Sequence, residues 1–283
     1  YISHNRSEYL QMVRRAAGGG LLMSVTTLLK FGLAALAFSA FWGGFWAGVN
    51  YSISFVLIQL LHWTVATKQP AMTAPAMAAK LKDMQASEDA AHTLEAFVDE
   101  VANLVRTQVA AILGNVLVVF PAALVLSLLW WQMFGATPLD AAHAQSTLDS
   151  LHVLGPSALF AAYTGVLLFA SSLIAGWVEN WFVLRRLDSA IRYNPGFTRW
   201  LGKGRAKRWG DFWRANISGF AANISLGMML GLTPAIAAFF GLGLEVRHVT
   251  LSSGQLGVAS ATFGLGVLAL PAFWWALALL PLN

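Results

Sequence analysis

Long apolar runs separated by short polar segments dominate the hydrophobic pattern of this chain. Six runs are about 18 residues or longer, which is the length a helix needs to cross the hydrocarbon core of a bilayer. They cover residues 21–41, 45–66, 109–134, 153–184, 217–242 and 256–280. The pattern therefore predicts an all-α, polytopic transmembrane bundle of about six spans. In the first hairpin, Lys30 and the glycines are also compatible with a re-entrant element.

The segments between these runs divide the chain into six parts. Residues 1–20 form a lead-in, 21–66 a first transmembrane hairpin and 67–108 a loop with an amphipathic helix. Residues 109–184 form a second hairpin, 185–215 a basic, tryptophan-rich loop and 216–280 a third hairpin.

Composition agrees with a membrane location and excludes several kinds of chemistry. The chain of 283 residues is 57% hydrophobic and 11% charged, whereas soluble domains carry about 25% charged residues. It contains no cysteine, so disulfides, thiolate metal sites and cysteine nucleophiles are excluded. The net charge of +5 favours an anionic partner, either a lipid surface or nucleic acid.

The basic residues predict the orientation of the spans. With the N-terminus inside and strict alternation, 16 of the 18 lysines and arginines fall in cytoplasmic segments, as the positive-inside rule requires. This orientation predicts that both termini are cytoplasmic. It also predicts a multi-pass membrane protein.

Two cytoplasmic segments are candidate interaction surfaces. The pattern of apolar positions in residues 87–106 predicts an amphipathic helix. This helix either docks a protein partner or packs on its own bundle. The basic loop interleaves cations with tryptophan, which favours contact with anionic lipid headgroups over nucleic acid. Equally, these cations could only determine the orientation of the spans and bind no ligand. The lipid-contacting candidates are Arg199, Lys203, Arg205, Lys207, Arg208 and Arg214.

Polar residues inside the spans form the main candidate site, because such residues are costly in a bilayer. The alternation places seven of them in the inner half of their spans: Lys30, His62, Asn115, Glu179, Asn180, Asn216 and Asn223. Lys30 and Glu179 are predicted to pair at similar depth. A structural role for this pair and a transport or catalytic role remain alternatives.

Two further features concern the third hairpin. Gly227 and Gly231 form a GxxxG pattern, as do Gly44 and Gly48; tight internal packing is favoured over oligomerisation. Glu245, Arg247 and His248 form a polar outer turn, either a binding cluster or a salt-bridged structural turn.

No motif in the sequence indicates an enzyme. HExxH, GxSxG and GxxxxGK[ST] are absent, so no metal, cofactor or catalytic residue is assigned.

Five segments resemble a bacterial membrane-protein family called site-specific recombinase (gonococcal recombinase-like). They are residues 1–9, 66–77, 174–181, 216–225 and 245–252. The resemblance implies a longer parent protein with a helical region upstream and an inner-membrane location; it transfers no catalytic residue. The leading functional hypothesis is a transport or lipid-handling membrane domain. A non-enzymatic scaffold for partner proteins is the alternative, and DNA recombination depends on the family name alone.

Overall fold

The computed structural model describes residues 5–65 and 90–280, and within these ranges it contains helices and no strand. The all-α prediction is confirmed. The helices are α1 (Arg6–Ala35), α2 (Ala40–Leu60), α3 (Ala90–Phe134), α4 (Ala141–Ser150), α5 (Ser157–Leu184), α6 (Leu187–Tyr193), α7 (Pro195–Leu201), α8 (Lys203–Phe239), α9 (Val249–Phe263) and α10 (Pro271–Leu279), with a 3₁₀ helix at Gly264–Ala269 before α10. The predicted start of the amphipathic helix at 87–89 lies outside the described residues.

Within residues 5–65 and 90–280, six segments are long and apolar enough to cross a membrane, which confirms the prediction of about six spans. They are Arg6–Ala35, Ala40–Leu60, Leu94–Phe134, Ser157–Leu184, Lys203–Phe239 and Val249–Ala269. Large apolar side chains such as Leu117, Leu159 and Phe169 are exposed on the bundle surface. A water-soluble fold would bury such residues, whereas a lipid-facing surface accommodates them. The chain is thus built as a multi-pass membrane protein.

Contacts between helices fix their relative directions. Helices α1 and α2 are antiparallel, since Thr26 contacts Ser54 at 2.6 Å between hydroxyls and the α1–α2 turn lies beyond them. Helices α1 and α3 are parallel, because Asn115 donates to the Ala16 carbonyl at 2.6 Å and Gly20 lies against Val119. We call the end of the bundle that carries α6 and α7 the basic end, and the opposite end, which carries α4, the α4 end.

Helices α2 and α8 form a close, antiparallel seam of small residues. Gly231 lies against Gly44 and Gly48, and Gly227 lies against Ser52. A Cβ atom at Gly231 would collide with the α2 backbone, so glycine is required for this approach. The two GxxxG patterns therefore pack against each other within one chain, as the internal-packing interpretation expected.

The predicted sixth span, 256–280, is wrong as a single helix. Its helix ends at Phe263, followed by Gly264 at φ +54°, a 3₁₀ helix and a new helix at Pro271. A left-handed glycine and a proline with no N–H to donate together interrupt the ladder of hydrogen bonds. Sequence hydropathy does not register this break, because both halves are apolar.

Helix α9 also runs in an unexpected direction. Thr250 at its start bonds Asn115 at 3.1 Å, and Gly257 lies against Phe120 further along α3. Helix α9 is therefore parallel to α3, to α1 and to α8. Strict alternation of spans breaks between α8 and α9, and the predicted cytoplasmic C-terminus depended on that alternation.

A non-helical segment, 241–248, connects the end of α8 to the start of α9. It leaves α8 at the α4 end, where Phe239 and Phe240 are exposed, and reaches His248, which stacks on Phe55 at 6.1 Å. Backbone without regular hydrogen bonds is tolerated at membrane depth only when protein surrounds it. Burial of Arg247 and His248 meets this condition.

The amphipathic helix predicted at 87–106 is continuous with the third span. Together they form α3, whose 45 residues extend about 66 Å. Four residues of the predicted apolar stripe, Leu94, Val98, Val101 and Val105, are exposed. These four positions are therefore not packed against the described part of the bundle, whereas Phe97 and Leu104 are half-buried.

Candidate functional site

The structure divides the predicted intramembrane cluster between the two ends of the bundle. Lys30 is 24 residues into α1, about 36 Å from its start, and lies near the α4 end. Glu179 lies near the opposite end, five residues before α5 finishes at Leu184. The predicted Lys30–Glu179 pair is therefore wrong. The error arose because α1 begins at Arg6, well before its apolar run.

Glu179 pairs instead with Arg214 of α8, at 3.0 Å between Oε1 and Nη1. Both side chains are about two-fifths exposed. Solvent therefore partly screens this ion pair, which connects α5 to α8. Neighbouring Asn180 is exposed and lies outside the cavities described next.

A cavity of about 560 Å³ lies toward the basic end, between α1, α2, α5 and α8. We call it the basic-end cavity. His62 and Asn223 line it, together with Arg15, Gln59 and hydroxyls of α5 and α8. Two of the seven predicted residues thus line one cavity of the size typical for small ligands.

An amide network forms one wall of the basic-end cavity. Asn223 donates to Gln59 Oε1 at 2.5 Å, and Gln59 Nε2 donates to Asn216 Oδ1 at 3.2 Å. These bonds tie α2 to α8. Sequence reasoning found both asparagines but missed Gln59, whose place beside His62 at the end of an apolar run was the available signal.

Asn115 is fully buried behind this cavity and connects three parts of the fold. Its amide nitrogen donates to the carbonyls of Ala16 (2.6 Å) and Thr64 (3.3 Å), and its oxygen accepts from Thr250. Such a residue joins helices rather than meeting a ligand. Asn115 is therefore a structural member of the predicted cluster.

A second cavity, of about 590 Å³, lies toward the α4 end. We call it the α4-end cavity. Lys30 of α1 lines it, together with Glu245 and Arg247 from the 241–248 segment. The predicted outer turn is therefore not a surface turn, because it enters the bundle and contributes charges to this cavity.

Arg247 is the most enclosed charge of this cavity, at 7% exposed. Its Nη2 pairs with Glu245 Oε2 at 2.5 Å and donates to the Ser150 carbonyl at 2.8 Å. Its backbone N–H donates to the Thr164 hydroxyl of α5 at 2.9 Å. These contacts hold the segment between α4 and α5.

Helix α4 covers the α4-end cavity with Ser146, Thr147 and Ser150. Its N-cap is Asp140, whose carboxylate accepts from the His143 backbone N–H at 2.8 Å. This hydrogen bond, followed by one to the His143 ring, lowers the pKa of Asp140 below its usual value.

The two cavities approach each other closely across one layer of side chains. Leu226 lines the basic-end cavity and Leu230 lines the α4-end cavity, and they are one helical turn apart, about 6 Å along α8. On α2, Ile58 and Tyr51 line the two cavities respectively, with fully buried Phe55 between them. We call this layer the barrier.

The predicted lipid-contacting loop is largely helical, because it comprises α6, α7 and the first turns of α8. All six of its candidates are exposed: five lie beside exposed Trp200 and Trp209, namely Arg199, Lys203, Arg205, Lys207 and Arg208. The sixth, Arg214, is engaged by Glu179. Nearby Arg192 is bound to Asp188 and Asp211, at 3.3 and 2.7 Å.

Within residues 5–65 and 90–280, no group of three or more histidine, cysteine or carboxylate side chains is placed to hold a metal ion. The basic-end cavity offers amides and hydroxyls together with Arg15 and His62, whereas the α4-end cavity offers two cations and one carboxylate.

Comparison with known proteins identifies a family but no individual relative. No curated protein and no solved structure matches the chain significantly. The family model described as "Site-specific recombinase" matches residues 1–283. The chain belongs to this family, in agreement with the resemblance of its five segments.

Proposed function

We propose that this chain is a transport or lipid-handling membrane domain that passes a small polar ligand between its two cavities. The observation that supports the proposal is the barrier. Two cavities of similar volume lie toward opposite ends of the bundle and are separated along α8 by one helical turn. A layer that closes the path between two cavities is compatible with access from either side of a membrane in turn.

The elements around the barrier fit this proposal. The interrupted stretch 241–269 supplies non-helical backbone and a buried helix start next to the cavities. Transporters use broken helices of this kind, whose free backbone groups meet the ligand at mid-membrane depth. The small residues of the α2–α8 seam bring these two helices into close contact beside both cavities.

The orientation belongs to the same proposal. The basic end would face the cytoplasm of a bacterium, since it carries α6, α7 and the exposed cations of α8. Its exposed tryptophans and cations would contact anionic headgroups of the inner leaflet.

Cysteine labelling tests the two-sided arrangement, because the chain contains no cysteine of its own. Ser172 lines the basic-end cavity and Thr147 lines the α4-end cavity. Both are half-buried, and both hydroxyls bond only to their own helix backbone, at Phe169 and His143. The variants Ser172→Cys and Thr147→Cys are thus a matched pair.

We expect a membrane-impermeant maleimide to label each variant from a different side of the membrane. Ser127→Cys, at a fully buried position of α3, should stay unlabelled from both sides. Labelling of Ser172→Cys and Thr147→Cys from the same side would contradict the proposal. Reaction from the cytoplasmic side at Ser172→Cys would also establish the orientation.

The exposed stripe of α3 favours a second candidate, a scaffold that binds a soluble partner protein. Leu94, Val98 and Val105 present apolar surface beside Glu95 and Asp99, as docking helices do. Val98→Asp should abolish co-purification of a stoichiometric partner, while Asp99→Asn on the same helix should leave it intact. Purification without a partner at native expression would remove this candidate.

The family's printed name raises a third candidate, DNA recombination. Among the described residues, the exposed tyrosine of the basic end is Tyr193, next to Arg192, whose guanidinium is already bound to two aspartates. Strand cleavage of duplex DNA by the purified chain, abolished by Tyr193→Phe, would establish this candidate.

A further inference from the structure

Lys30 is a cation inside the first span that shares its cavity with Glu245, but the Glu245 carboxylate pairs with Arg247. Among the described residues, no carboxylate lies within ion-pair distance of its Nζ, and its nearest ring contact is Phe31, at 5.6 Å. Charges within spans are costly and normally pair with an opposite charge or face a polar cavity. Lys30 faces the α4-end cavity.

Arg247 contributes a second cation to the same cavity. Its Nη2 serves both Glu245 and Ser150, but its buried Nε finds no acceptor among the described residues. A buried N–H without an acceptor is destabilising unless a ligand supplies one. Glu245 offsets one of the two cations, so the cavity retains one uncompensated positive charge.

The N-terminus of α2 is a third feature of the α4-end cavity. Ser39, Ala40 and Gly43 line it, and Ser39 is the N-cap of this 21-residue helix. The Ser39 side chain does not cap the helix with a hydrogen bond. Free amide groups and the helix dipole at such a terminus attract negative charge.

We propose that the α4-end cavity binds one oxyanion, a carboxylate or a phosphate, between Lys30, Arg247 and the start of α2. The hydroxyls of Ser146 and Thr147 in the α4 cover supply further donors. The site is argued from its own charges and donors. The identification of this anion as the transported ligand rests on the proposed function.

Glu245 makes the proposal testable by a gain of binding. Its carboxylate occupies Arg247 and is about half exposed, so it competes with an incoming anion for the same guanidinium. Removing it leaves both cations available. A variant that binds the anion more tightly than the wild type is not explained by misfolding.

Thermal unfolding of the full chain in neutral phosphatidylcholine nanodiscs measures binding. Inorganic phosphate or acetate should raise the melting temperature saturably. Lys30→Gln should weaken the apparent affinity by about ten-fold or more, and Glu245→Gln should strengthen it by about three-fold or more. Lys203→Gln, the same change at an exposed lysine of the basic end, should leave the affinity unchanged.

Two arms of the experiment distinguish a soluble anion from a lipid headgroup. In one arm phosphate or acetate is titrated into phosphatidylcholine nanodiscs; in the other the nanodiscs contain phosphatidylglycerol and no added anion. Stabilisation that depends on Lys30 in the first arm identifies a soluble anion, and in the second a headgroup. Either result supports the site.

The proposal is overturned if neither arm stabilises the wild type, or if Lys203→Gln lowers the response as much as Lys30→Gln. It is also overturned if Glu245→Gln weakens binding while Lys30→Gln has no effect. Failure of the two-sided cysteine labelling with intact anion binding would remove the transport function and leave the site in place.

Discussion

The two cavities differ in how their polar groups are satisfied. In the basic-end cavity, Gln59 accepts from Asn223 and donates to Asn216, so the amides bond one another. In the α4-end cavity, Lys30 has no carboxylate partner among the described residues and Arg247 retains a buried Nε without an acceptor. The first set of groups holds helices together, whereas the second set keeps a charge and a donor for which the described residues supply no partner.

This comparison shows that polarity inside a span is not by itself a sign of ligand binding. Asn115 is the most buried polar member of the predicted cluster, and its bonds connect α1, α3 and α9. Groups whose partners are already present in the chain add stability. Groups that lack partners lower stability until a ligand arrives.

A substitution in the barrier between the cavities is expected to give the largest loss of stability. Phe55→Ala removes a fully buried ring from the layer between them, which should lower the free energy of unfolding by about 3–5 kcal/mol. It should also join the two cavities into one passage. Leakage of a small polar dye through proteoliposomes measures the opening; Phe169→Ala, at an exposed position of α5, is the control. Tight vesicles with folded Phe55→Ala would contradict the barrier assignment.

A substitution in the α2–α8 seam is expected to give the next largest loss of stability. Gly231→Val places a branched side chain against Gly44 and Gly48 and should lower the free energy of unfolding by about 1–3 kcal/mol. Gly165→Val on α5 is a matched control, because nothing lies within 4 Å of its added Cβ. Thermal melts in detergent compare the two, and equal losses would contradict the seam.

A pair of substitutions tests the comparison itself. Gln59→Leu leaves Asn216 and Asn223 without their shared partner and should lower the free energy of unfolding by about 1–3 kcal/mol. Lys30→Met in the other cavity removes a charge without breaking an ion pair, so stability in anion-free buffer should be unchanged or higher. If Lys30→Met lowered the melting temperature more than Gln59→Leu does, the proposed difference between the two cavities would be contradicted.

The smallest effect on stability is expected at helix α4, which covers the α4-end cavity. Its N-cap hydrogen bond lowers the pKa of Asp140 from the ordinary value of 3.8, so the folded state favours the charged carboxylate. That stability is present above the unfolded pKa and is lost as the pH falls through the lower, folded pKa. Melting curves between pH 6 and about pH 3 should therefore converge for wild type and Asp140→Ala. A difference that grows toward low pH would contradict this assignment.

Much of the fold was predictable because long apolar runs leave few alternatives to spanning helices. The six candidate spans and the internal packing of the two GxxxG patterns follow from residue type and spacing. Boundaries were less predictable: α1 and α3 each begin well before their apolar runs. That shift moved Lys30 away from Glu179.

The candidate site was only partly predictable, because hydropathy does not encode helix direction. Alternation placed Lys30 with His62, whereas the return of segment 241–248 into the bundle brings Arg247 to Lys30 instead. Only tertiary contacts reveal that α9 is parallel to α8. The individual polar residues were found in sequence, but their grouping was not.

The buried path of segment 241–248 and α9 also constrains the order of assembly. In lipid, the unbonded backbone of this segment would have no partners, and α9 is enclosed from Val249 to Ala261. We therefore expect α1, α2, α3 and α5 to pack together before segment 241–248 and α9 enter between them. During synthesis residues 241–261 therefore wait at the membrane surface, where they are the part of the bundle most exposed to proteases.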